Sequence, residues 1–250
     1  MAELYDDAAF FAAYARMDRS ERGLEGAGEW PQMRALLPKL SGLRVLDLGC
    51  GYGWHCRYCA EQGAASVLGL DSSRSMLEQA RRRNAHARVT YRLCGMEQFG
   101  YPASAYDLVL SNLALHYLAD LNTVYRRVSR TLAPGGTFLL NMEHPVFTAG
   151  VGQTWAAGPD GRSAFWPVDG YFFPGPRRTV FLGQTVEKQH HTLTQILMGL
   201  LDAGLRITAV VEPQPPEAWR ERPGMEEEMR RPMMLLVRAE KPADSGEGTA

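Results

Sequence analysis

Gly49, Gly51 and Gly53 follow the apolar run Val45-Leu46-Asp47-Leu48 at alternate positions, and Asp71 stands 20 residues beyond Gly51. Glycines so spaced let a backbone turn sharply and approach a ligand closely. A carboxylate at the tip of the next strand can accept both hydroxyls of a ribose. Together they point to a nucleoside-containing cofactor lying over the carboxyl ends of parallel strands. The loop reads G-x-G-x-G, not the G-x-G-x-x-G of a pyrophosphate site. Asp47 directly before it would repel a diphosphate and suits an ammonium. Further along, Glu143 and His144 are placed to leave a strand at the same edge, and both are candidates for proton transfer. His116, Tyr171 and His191 join them. No Ser/His/Asp or Cys/His set stands out for covalent catalysis. Cys56 and Cys59 form a C-x-x-C without a second ligand pair, so they read as small packed residues and no metal is expected.

The elements that must position these residues alternate in type. Strands are expected at Val45–Leu48, Ser66–Leu70, Arg88–Leu93, Tyr106–Leu110 and Thr137–Met142. Helices are expected over Trp54–Gln62, with Gly63 at C′, and over Arg74–Asn84, capped by Ser72 or Ser73. Asp120 caps an amphipathic helix carrying Leu121, Val124, Tyr125, Val128 and Leu132, which Pro134-Gly135-Gly136 is expected to stop. Such alternation argues an α/β fold with a parallel sheet covered on both faces. Its strand-to-helix loops then share one edge, where ligands bind. Residues 1–42 read as an N-terminal helical cap: a helix over Asp7–Met17, a polar link over Asp18–Gly28, and a short helix from Trp30 to about Leu37. The segment 143–191 breaks the rhythm and reads as an insertion covering the catalytic edge. Its aromatics are Phe147, Trp155, Phe165, Trp166, Tyr171, Phe172 and Phe173, and it holds one expected strand, Arg178–Glu187. The core resumes over 192–240 with a helix capped by Thr192 and ended by Gly204. A strand at Ile207–Glu212, a short charged helix at Met225–Arg230 and a last, antiparallel strand at Met233–Ala239 complete it. Residues 241–250 are expected to be a disordered tail.

The 250 residues are 45% hydrophobic and 22% charged, enough for a sizeable core in one domain. A net charge of −1 gives no basic footprint for nucleic acid and no polybasic surface for a membrane. No apolar run reaches the roughly 18 residues of a membrane span. The acidic start Met-Ala-Glu-Leu-Tyr-Asp-Asp is unlike a targeting peptide, so the expected compartment is the cytoplasm. The expected state is a monomer or homodimer.

Four motifs in order resemble the class I S-adenosylmethionine-dependent methyltransferases. They are Leu46-Asp47-Leu48-Gly49-Cys50-Gly51-Tyr52-Gly53, Gly69-Leu70-Asp71, Tyr106-Asp107-Leu108-Val109-Leu110-Ser111-Asn112, and Leu132-Ala133-Pro134-Gly135-Gly136. The resemblance covers roughly 43–142 and 192–240. It implies a Rossmann-like, seven-stranded, mostly parallel sheet with the last strand antiparallel and helices on both faces. With the cap and Glu143-His144-Pro145-Val146, the chain is similar to a bacterial small-molecule branch that includes indole C-methyltransferases of natural-product pathways. The implied cofactor is S-adenosylmethionine, leaving as S-adenosylhomocysteine. By the resemblance, Asp47, Gly49, Cys50 and Gly51 line its methionine end, and Asp71 holds the ribose. Ser72 and Met76 lie against the adenine, with Gly95, Met96 and Glu97 at its edge. Ser111, Asn112 and Leu113 floor the pocket, with His116 on the next turn, while Tyr14, Met17 and Arg19 close over the amino-acid end.

Methyl transfer from a sulfonium is an in-line displacement that needs alignment, exclusion of water and, for a protonated acceptor, a base. The aromatic-rich insertion and the absence of a basic groove point to a small aromatic or heteroaromatic, indole-like acceptor. The alternatives are N- or O-methylation of a non-aromatic metabolite, a nicotinamide-dependent oxidoreductase, and a cofactor-binding protein without turnover. Ser111-Asn112-Leu113-Ala114 stands where a DNA amino-methyltransferase carries Asn/Asp-Pro-Pro-aromatic, which argues against a nucleic-acid substrate.

Overall fold

The computed structural model describes residues 2–243. Its centre is a seven-stranded sheet. The strands are β1 (Arg44–Leu48), β2 (Ser66–Asp71), β3 (Val89–Leu93), β4 (Tyr106–Asn112), β5 (Leu132–Glu143), and two late strands, Arg206–Val211 and Met234–Glu240. The first five run parallel in the order 3-2-1-4-5, and Met234–Glu240 pairs antiparallel with β5. Strand order reverses between β1 and β4, and such a switch point leaves a crevice at the carboxyl ends of the strands. The glycine loop leaves β1 there, beside the Ser111–Leu113 exit of β4.

Neighbouring residues on each strand feed opposite faces. Leu46, Val109, Phe138, Leu140 and Val237 join one buried cluster with α-helices Leu121–Thr131 and Leu193–Asp202. Val45, Leu108, Leu110, Leu139 and Leu236 join the other with Trp30, Met33, Cys56, Cys59 and Leu77. A strand buried on both faces is apolar at most positions, which explains the nearly continuous hydrophobic runs in the sequence. Three of the flanking helices are started by side-chain caps, while Trp54–Glu61 starts on Gly53 without one. Ser73, Asp120 and Thr192 accept N–H groups of their own first turns, and Thr192 forms a reciprocal capping box with Gln195.

Several expectations change. The helix expected over Asp7–Met17 is Ala8–Ala15, and a further short helix, Ala2–Asp6, precedes it. Asp7 is extended and accepts the Phe10 N–H at 2.8 Å, so it ends Ala2–Asp6 and starts Ala8–Ala15. The expected polar link holds a helical turn, Asp18–Glu21, and a 3-10 turn, Gly23–Gly26. Glycine permits this close folding: a Cβ at Gly23 would lie 2.8 Å from the Trp54 ring, and one at Gly26 would lie 2.2 Å from the Asp18 carbonyl. The Pro134-Gly135-Gly136 turn does not stop the preceding helix, because Leu132 is already extended. Those residues instead form an irregularity inside β5, whose register slips between Tyr106–Leu132 and Leu108–Thr137. Lys241 ties that irregularity down, exchanging backbone hydrogen bonds with Gly135 and Gly136. Lys241, expected in the disordered tail, is thus held against the sheet, and residues 244–250 of that expected tail lie outside the described ones.

The single strand expected at Arg178–Glu187 is a hairpin, Gly175–Phe181 and Gln184–His190. Its two-residue turn, Leu182-Gly183, has both residues at positive φ (52° and 81°), the conformation that matches strand twist in tight hairpins. Leucine at such a position gives no sequence warning. The cap also spans two walls. Asp6 accepts the Ser73 hydroxyl at 2.7 Å and the Ser75 N–H at 2.9 Å at the start of helix Arg74–Arg83, while Asp7 accepts from Gln184 on the hairpin at 3.2 Å. Among the described residues, no helix is long and apolar enough to cross a membrane.

Candidate active site

A cavity of about 630 Å³ opens over the carboxyl edge of the sheet. One end is built by β1, β2 and β4. Gly49 and Gly51 turn through positive φ (75° and 52°), and the amides of Gly49 and Cys50 both reach the Leu70 carbonyl at 2.9 Å. This folds the loop back over the tip of β2. Asp71 holds it there, accepting the Gly51 N–H at 2.8 Å and the Ser73 N–H at 2.9 Å. Burial raises the Asp71 pKa against the lowering effect of those amides. The same end is lined by Tyr14, Met17, Arg19, Cys50, Ser72, Met76, Gly95, Met96, Glu97, Asn112 and Leu113. Arg19 is tied in a two-pronged pair to buried Glu29, at 3.1 and 3.2 Å.

The other end is closed by the insertion and the cap. His116, Tyr117, Glu143, Phe147, Gln153, Phe181, Lys188 and Tyr5 line it. Glu143 and Lys188 form a buried ion pair, and the second Glu143 oxygen has a long contact to the Gln153 amide at 3.5 Å. Nδ1 of His116 accepts the Glu143 backbone N–H at 3.3 Å. Its ring pKa is driven down to about 4, first by burial and then by Lys188, with Glu143 opposing. Near neutral pH the ring is uncharged, its proton sits on Nε2, and Nε2 has no protein partner among the described residues. Tyr5 reaches Tyr117, hydroxyl to hydroxyl, at 2.9 Å.

Five residues singled out from sequence do not line the cavity. Asp47 is buried beneath the glycine loop, bound at 3.2 Å by the Cys56 thiol, and burial pushes its pKa up to about 7. Its β1 position, paired with Gly69 and Leu110, points it inward among packed groups. Ser111 is buried too, donating to the Leu48 carbonyl at 3.0 Å and bracing β4 against β1. His144 caps helix Pro145–Thr148 through Nδ1, with Nε2 3.0 Å from Glu212. Tyr171 accepts the Leu193 N–H at 3.1 Å, and His191 donates to the Leu118 carbonyl at 2.8 Å. All three of these last residues are structural links of the insertion. Of the insertion's seven expected aromatics only Phe147 reaches the cavity. Trp166 stacks on Phe147, and the Arg231 guanidinium covers both rings within 4.8 Å, so this cluster is largely the insertion's own core.

Lys188 was not legible without the hairpin. Once the strand Gln184–His190 is fixed, Val186, Lys188 and His190 fall on one face, all buried. A lysine on that face is the signal.

Residues 46–140 match the family described as "Methyltransferase domain". A solved S-adenosylmethionine-dependent methyltransferase from Mesorhizobium loti is 43% identical, covering 87% of this chain and all of its own, with a TM-score of 0.81. A Listeria monocytogenes protein assigned to the same class is 44% identical over 88% of this chain and 99% of its own, with a TM-score of 0.83. The chain belongs to the class I S-adenosylmethionine-dependent methyltransferases. Among curated relatives with a named activity, a malonyl-[acyl-carrier protein] O-methyltransferase of Salmonella typhimurium is 41% identical, over 41% of each chain.

The methyl donor of this methyltransferase is S-adenosylmethionine, and the residues present fit it. A Cβ built on Gly51 meets nothing within 4 Å, so the loop leaves an open cradle at its bend. Beside it, Tyr52 Oη and Trp54 Nε1 are buried without a hydrogen-bond partner among the described residues. Buried donors left so are costly and mark a place for a polar ligand.

His116 also sets a pH dependence. Its folded pKa, about 4, lies below the ordinary 6.5. Neutral His116 therefore supports the fold fully above pH 6.5, and that support is lost as pH falls toward 4. Urea unfolding should show wild type losing about 2 kcal/mol more than His116→Gln between pH 7.5 and pH 5. Equal losses would mean that the ring titrates normally.

Proposed function

We propose that this enzyme methylates a small, uncharged aromatic or heteroaromatic molecule. The observation that carries the reading is the state of the cavity's cations. Arg19 and Lys188 are the lysine and arginine side chains that line it among the described residues, and each is already matched by a buried carboxylate. A carboxylate acceptor, as the name of the Salmonella relative implies for that protein, would meet no uncompensated cation there and would face the Glu143 carboxylate. Tyr5, Tyr117, Phe147 and Phe181 supply flat apolar walls around the acceptor end.

In this reading Asp71 accepts the ribose hydroxyls, with Ser72 and Met76 along the adenine and Gly95, Met96 and Glu97 at its edge. Gly49, Cys50 and Gly51 present backbone to the methionine end, which Tyr14, Met17 and Arg19 cover. Asn112 and Leu113 form the floor. When bound, the cofactor supplies a methyl group on a positively charged sulfur. The chain's task is to align the acceptor behind that carbon, keep water out and accept the proton the acceptor releases. His116 is unsuited to take that proton, because Nδ1 is occupied and Nε2 already carries one. It donates instead. Glu143, its free oxygen facing the same space, is the proton acceptor.

Asp71→Ala should weaken S-adenosylhomocysteine binding by about 1–3 kcal/mol, the cost of a lost charged partner. Calorimetry showing unchanged affinity would remove Asp71 from the ribose site. The acceptor class is tested by transfer of labelled methyl groups to indoles, phenols, heteroaromatic N–H compounds and dicarboxylates. Label on the aromatic set supports the reading; label on dicarboxylates alone refutes it.

A further inference from the structure

The inner end of the cavity is more selective than an aromatic slot. Three groups converge there from different elements: Glu143 from the end of β5, His116 from the turn after β4, and Lys188 from the hairpin. Lys188 offers three N–H bonds. Its pair with Glu143 engages one, and the ammonium lies 5.2 Å from the centre of the Phe181 ring. His116 adds a donor at Nε2. Glu143 keeps one oxygen whose only hydrogen-bond contact among the described residues is the 3.5 Å approach of Gln153. The site therefore presents donors and an acceptor side by side, with no net charge.

We infer that this end recognises a cyclic amide-like edge, an N–H beside a C=O, on the ring of the acceptor. The inference rests on the uncharged aromatic acceptor proposed above and narrows it. A bare N–H, as in indole, would satisfy Glu143 and leave the Lys188 and His116 donors unmatched. A carboxylate would satisfy the donors but face the Glu143 carboxylate, where like charges repel. A bare carbonyl would leave the Glu143 oxygen without a donor. An adjacent N–H and C=O satisfies both at once, and unmatched buried polar groups are what such sites reject most strongly. The Tyr117 ring, 4.5 Å from that of His116, and the Phe147 and Phe181 rings leave room for a flat bicyclic body.

Four probes separate these cases: 2-oxindole, indole, N-methyl-2-oxindole and benzoate. Each is titrated calorimetrically into the full-length protein saturated with S-adenosylhomocysteine. The expected result is that 2-oxindole binds at least tenfold tighter than the other three. Lys188→Met, used only if circular dichroism shows it folded, should bring 2-oxindole down to the level of indole. Indole or N-methyl-2-oxindole binding as tightly as 2-oxindole would overturn the inference and leave the aromatic acceptor standing. Benzoate binding tightest, or no aromatic probe binding at all, would overturn both.

Discussion

Gly51→Ala should leave the enzyme folded and nearly without affinity for its cofactor. At φ +52° an alanine costs about 1 kcal/mol of backbone strain, and its Cβ meets no protein atom. The fold has little else to lose there, since the Gly51 N–H still reaches Asp71. The methyl group fills the cradle instead. Overfilling a close contact costs about 3 kcal/mol, roughly a hundredfold in Kd. Gly49→Ala is the contrast. Its Cβ would lie 2.4 Å from the Ala114 Cβ, at φ +75°, so that variant should lose stability as well as binding. Thermal denaturation and titration with S-adenosylhomocysteine, run on both variants, separate the two effects. An affinity for Gly51→Ala within threefold of wild type would take the loop out of the cofactor site.

The second large effect concerns the Glu143–Lys188 pair. Both side chains are almost wholly buried, with 11% and 6% of their surface exposed. Removing one partner leaves a charge in the interior, and Lys188→Met should cost about 3–5 kcal/mol in urea unfolding. The double variant Lys188→Met/Glu143→Leu should recover most of that loss, because an apolar pair of similar volume packs without desolvating a charge. Activity should not return with stability, since Glu143 is the proposed proton acceptor. If the double variant is as unstable as the single one, the loss does not come from a stranded Glu143 charge, and the pair itself holds the hairpin to the sheet.

The sheet was legible because buried parallel strands are largely apolar and several of its helices begin on capping side chains. Val45–Leu48, Ser73, Asp120 and Thr192 carry those signals locally. The short helix Ala2–Asp6 was missed because five residues carry no helical period of their own, whereas Asp7 starts the expected helix after it. Leu182 hid the hairpin turn for a different reason: positive φ at leucine is imposed by the paired strands, not by its own preference. The glycine loop and Asp71 were read together at one end of the cavity because they act through backbone geometry near in sequence. The acceptor end depends on long-range pairing. His144, Tyr171 and His191 have the right chemistry, yet each is consumed by a structural hydrogen bond. Lys188 becomes visible only when 45 residues of chain bring it against Glu143.

The cap's position has a practical side. Tyr5 stands in the cavity wall, and Asp6 and Asp7 grip the start of helix Arg74–Arg83 and the hairpin respectively. Lys241 leaves from beside Leu132, at the opposite rim of the sheet. A purification handle, fluorophore or sensor-chip linkage attached near the amino end would crowd both ligands at once. The same attachment at the carboxyl side would leave ligand exchange untouched, so immobilised assays of this enzyme should be tethered there.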